Sequence, residues 1–113
     1  MNIAQAKSMV SDYMRRLEYL HPVIRSDKFL DNSYSKIACR EILKELEASR
    51  DLPFIMTPMD VFEAFSNKMK RMACDHPNKE HSFLFIQCAE TAEFFIEQCW
   101  LDNWNWKKRR GGT

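Results

Sequence analysis

Four residues in the stretch "CDHPNKEHSFLFIQC" have side chains that could hold a metal ion: Cys74, His76, His81 and Cys88. Thiolates and imidazoles are the ligands of structural zinc, arranged as a tetrahedron. The spacing argues against such a site. If His81 and Cys88 share a helix, they lie about 10.5 Å apart along its axis, whereas all ligands of one zinc lie about 2.0–2.3 Å from the ion. Cys88 and Cys99 fall three helical turns apart, on the stripe of Leu84 and Phe95, which is how core cysteines are placed. No metal or other cofactor is expected. If one were bound, Cys74, His76 and His81 would be the candidate ligands.

Nucleophilic catalysis by a cysteine needs an activating base. Cys74 is the thiol expected to be accessible, with His76 near it, but a helix C-terminus does not lower a thiol pKa. The C-x-x-C motif is absent. Glu90, Glu93 and Glu97 share a helical face, but the Glu-x-x-His motif of carboxylate-bridged di-metal bundles is missing. The two glycines, Gly111 and Gly112, close the chain, so neither a P-loop nor a dinucleotide fingerprint can form. The chain reads as a non-enzyme.

The segment "CWLDNWNWKKRRGGT" offers a different chemistry. Aromatic rings stack on bases while lysines and arginines hold phosphates. Trp100 and Trp104 are expected to be buried, continuing the row of Phe85, Ala89 and Ile96. Trp106, Lys107, Lys108, Arg109 and Arg110 are left as the candidate contact with nucleic acid or an acidic partner. Cations there also complement the negative end of a helix. The net charge is only +1, from 17 basic and 16 acidic residues, whereas a general nucleic-acid binder is strongly basic.

The elements that would position these residues are helices. With 2 glycines and 4 prolines in 113 residues, the chain lacks the turn residues of a sheet protein. Apolar spacing predicts helices over residues 2–20, 33–49, from Pro58 to about 74, and from Lys79 to about Asn105. Pro22 is expected to stop the first. Thr57, Pro58 and Asp60 form the clearest start signal, a cap followed by proline and an acid. Leu52, Phe54, Ile55 and Met56 are expected to lie extended across the core. The fold expected is all-α, a single-domain four-helix bundle or close variant over residues 1–106, with a basic tail at 107–113.

The last helix is apolar over an unusually wide arc. Phe83, Ile86 and Phe94 lie outside its two core rows, so they are expected to bury a second face on a partner. No apolar stretch has the length of a signal peptide or a membrane span. Four cysteines without a sign of export fit the reducing cytoplasm. The function expected is a non-catalytic helical interaction module of adaptor, regulator or inhibitor type, binding a partner protein or a second copy of itself. The alternatives are nucleic-acid binding through the Trp106–Arg110 tip and a small Cys/His zinc protein.

Overall fold

The computed structural model describes the backbone of residues 1–24, 32–52 and 55–111; side chains at 18–24, 32–33 and 103–111 lie outside the described set. Four helices make an all-α bundle: α1 (Ile3–Ile24), α2 (Asn32–Ala48), α3 (Pro58–Asp75) and α4 (Lys79–Gly111). A single 3-10 turn, Ser49–Asp51, follows α2. The expected basic tail therefore begins within α4, whose helical backbone includes Lys107 to Arg110.

Local chemistry explains most of the helix starts. At α3 the Thr57 hydroxyl accepts from the Asp60 amide, and the Asp60 carboxylate accepts from the Thr57 amide at 3.0 Å, with Pro58 at the first helical position. Each partner satisfies an amide that the helix itself cannot. The same reciprocal device starts α1, where Asn2 and Gln5 each accept the other's amide at 2.8 Å. At α4 the Asn78 side chain accepts from the Glu80 amide at 2.9 Å.

Pro22 does not stop α1, which runs to Ile24. The proline sits in the last turn, where its missing N–H removes one backbone hydrogen bond rather than a run of them.

The core is one cluster drawn from all four helices. Ala6 and Val10 come from α1, and Ala38, Cys39, Ile42 and Leu46 from α2. Val61, Phe62, Phe65 and Met69 come from α3, and Cys88, Ala89, Ala92, Phe95 and Cys99 from α4. Phe62 and Phe95, both fully buried, meet at 5.5 Å between ring centroids. The pair α3–α4 packs most extensively, α1–α2 next, and α2 also packs on α4. Tyr13 joins α1 to α4, 4.9 Å from Phe94 and 5.3 Å from Phe95.

Two expectations fail at the edge of this core. Ile55 is 96 % exposed and Leu52 is also exposed, so the segment before α3 is not laid across the core. Met56 alone of the described residues there packs against it, and Phe54 lies outside the described residues. Trp100 is 64 % exposed rather than buried.

Candidate functional site

The turn between α3 and α4 gathers the predicted metal ligands. His76 Nδ1 accepts from the Asn78 amide at 3.2 Å, and His76 Nε2 lies 3.3 Å from His81 Nδ1. In a neutral His76 the Nε2 atom therefore carries the proton and donates it to His81. The His76 ring also lies 4.8 Å from the His81 ring and 5.8 Å from Phe85. The Ser82 hydroxyl reaches back to the carbonyls of Ala73, at 2.8 Å, and His76, at 3.3 Å, serving acceptors left over at the end of α3.

This geometry engages both ring nitrogens of His76 and Nδ1 of His81 in closing the turn. A metal at His76 Nε2 would need the proton moved to Nδ1, which already accepts from Asn78. Among the described residues no three His, Cys, Asp or Glu side chains group closely enough to hold a metal ion. Cys74 is exposed on the last turn of α3, while Cys88 lies in the core. The structure thus brings His76 and His81 together and leaves both cysteines out.

The three buried thiols are chemically quiet. Burial pushes the Cys39 thiol up to about 12, with Cys88 adding to the shift. Burial pushes Cys88 to about 11, with Glu41 adding, and it raises Cys99 as well. Cys88 Sγ faces the Tyr34 carbonyl at 3.7 Å. A thiol kept neutral is a poor nucleophile.

The carboxylate row also divides. Glu93 pairs with Lys70 of α3 and accepts from the buried Ser66 hydroxyl at 3.5 Å. It is a clasp between the two helices, whereas Glu90 and Glu97 remain exposed. An open groove of about 600 Å³ runs between α1 and α4, lined in part by Met9, Asp12, Tyr13, Arg16 and Phe94. Asp12 is bonded to Arg15, and burial followed by the nearby Cys39 raises the Tyr13 hydroxyl. These contacts leave the groove without a paired base and nucleophile.

The exposed apolar residues of α4 are the other candidate surface. Phe83 is 52 % exposed and Ile86 43 %. The Phe83 ring meets Tyr34 of α2 edge-on at 6.5 Å. Ile37, one turn along α2 from Tyr34, is also exposed. The Phe83 ring, exposed on α4, thus lies against Tyr34, half-buried on α2. Phe94, although exposed, lies on the α1 side against Tyr13. Sequence reasoning named Phe83, Ile86 and Phe94 of α4 and did not name the exposed Ile37 of α2 among them.

The side chains of Trp106, Lys107, Lys108, Arg109 and Arg110 lie outside the described residues; their backbone is helical. No helix among the described residues is long and apolar enough to cross a membrane. Comparison with known proteins finds no family model that matches the chain, and no curated protein or solved structure significantly similar to it.

Proposed function

We propose that this protein is a non-catalytic interaction module that works by presenting apolar helical surface to a partner protein. The observation that carries the reading is the apolar surface left exposed on α4, where Phe83 is 52 % and Ile86 43 % exposed. Grouped apolar side chains on a rigid surface favour association because burying them removes them from water. Aromatic anchors concentrate binding energy. The engagement of both His76 ring nitrogens and the burial of Cys39 and Cys88, which raises their thiol pKa values, support the same reading.

The test compares the native chain with Phe83→Ser/Ile86→Ser in capture experiments. Both positions are exposed, so the helical circular dichroism should be retained while captured protein is lost. Equal capture by both chains would defeat the reading.

A further inference from the structure

A half-open pocket of about 240 Å³ lies between the end of α2 and the first half of α3. Here α2 packs less on α3 than on α4. Ala48 of α2 and Ala64 of α3 both line the gap, and neither side chain is long enough to fill it. Val61 and Phe65, buried core residues of α3, form its inner wall, and Leu52 and Met56 complete the apolar lining. The buried polar residue of the lining is Ser49. Its hydroxyl donates to the Leu46 carbonyl at 2.7 Å, so its proton is already committed.

Two charged residues also line the pocket, Glu45 of α2 and Lys68 of α3, both exposed. Neither takes part in an ion pair among the described residues.

Size and lining define a class of ligand. A cavity of about 150 Å³ with aliphatic and aromatic walls takes benzene, so this one has room for a bicyclic ring. Water held against apolar walls finds few partners, and displacing poorly ordered water with an apolar group favours binding. The charges select within that class. An anion attracted by Lys68 would meet Glu45, and a cation attracted by Glu45 would meet Lys68, so a net charge gains little. A neutral aromatic ring suits both residues. Its face attracts an ammonium, and an N–H on its edge can donate to a carboxylate. The Met56 thioether adds the favourable contact that sulfur makes with rings.

We propose that this pocket binds a small neutral aromatic molecule carrying one hydrogen-bond donor, of the size and class of indole. The site is built from α2, α3 and the segment between them, apart from Phe83 and Ile86 of α4, so it goes beyond the protein-interaction reading and does not depend on it.

Titration of the isotope-labelled chain with indole, followed by backbone amide chemical shifts, tests the proposal. Saturable shifts should cluster at Ala48, Val61 and Ala64. Ala64→Phe should fill the pocket and weaken binding by about tenfold or more, and Ala48→Phe should do the same from the other helix. Both positions are exposed, so the helical circular dichroism should be retained. Glu45→Gln should weaken indole about fivefold, the worth of one hydrogen bond, and leave N-methylindole, which lacks the donor, unchanged.

The absence of a saturable shift up to the solubility of indole would overturn the proposal. So would binding that survives both phenylalanine substitutions, or a Glu45→Gln effect equal for indole and N-methylindole. Tighter binding of indoleacetate than of indole would overturn the neutral class. Phe83→Ser/Ile86→Ser should bind indole as the native chain does; loss of binding there would place the ligand on α4 and sink the pocket, while loss of protein capture alone would leave it standing.

Discussion

A cysteine count of four suggests chemistry, yet three of these thiols have been removed from it by burial. Cys39, Cys88 and Cys99 sit in the core, and only Cys74 is exposed. A thiol reagent at pH 8 should therefore modify one cysteine quickly in the folded chain and the other three only on unfolding; rapid reaction of two or more would contradict the packing. Burial also makes stability depend on pH at the alkaline side. Cys39 and Cys88 titrate near 12 and 11 in the fold, against an ordinary value of 9.0. Above about pH 9 the unfolded chain gives up these protons and the folded chain keeps them, so stability declines as pH rises toward the folded values and is undiminished below pH 9. Denaturant midpoints should fall between pH 8 and pH 10.5, and Cys39→Ala should flatten that fall. Cys88 and Cys99 were legible as core thiols from their three-turn spacing on the Leu84–Phe95 stripe, whereas Cys39 of α2 carried no such signal. The histidine pair was not, because the Asn78 contact that fixes the His76 tautomer depends on the path of the turn rather than on residue type.

At the scale of elements, starts were more legible than ends and edges. Thr57, Pro58 and Asp60 announce α3 because capping is a local exchange between residues three apart. Asn2 and Gln5 carry the same signal at α1, with amide side chains in place of hydroxyl and acid. Thr57→Ala should cost about 1 kcal/mol, measured by denaturant unfolding. Asp60 adds a pH signature. Its carboxyl is held below the ordinary 3.8, first by the Thr57 backbone amide and then by the Thr57 side chain. That contribution is present above the unfolded value and is lost as pH falls through the folded one, so Thr57→Ala should also reduce the loss of stability between pH 4 and pH 2. Segments without such exchanges were misjudged. Ile55 is apolar and belonged in the core by composition, but no cap or periodic neighbour fixes its side, and it points to solvent. The Ser82 hydroxyl shows the reverse case. A polar residue inside "EHSFLF" carried no signal, yet it bonds the carbonyls of Ala73 and His76 and so ties the end of α3 to the start of α4.

The whole molecule is governed by one mismatch of length. The 33 residues of α4 give about 50 Å of helix, while the 18 of α3 give about 27 Å. The helices antiparallel to each other can share only the first part of α4. Trp100 follows the Phe85, Ala89 and Ile96 row and is nonetheless 64 % exposed, because spacing fixes a flank of the helix and not what packs on it. The consequence is a division of labour within one helix. Its buried core residues run from Cys88 to Cys99, and Trp100 and Leu101 just beyond them are exposed. Phe95→Ala should cost about 3–5 kcal/mol, since a fully buried ring leaves a cavity between Tyr13, Phe62 and Phe94. Truncation after Asp102 should cost far less, because it spares every described core residue and keeps the Met1–Asp102 ion pair, an exposed contact of at most about 1 kcal/mol. Thermal unfolding separates the two. A truncation as damaging as Phe95→Ala would mean that the second half of α4 holds the bundle together rather than extending from it.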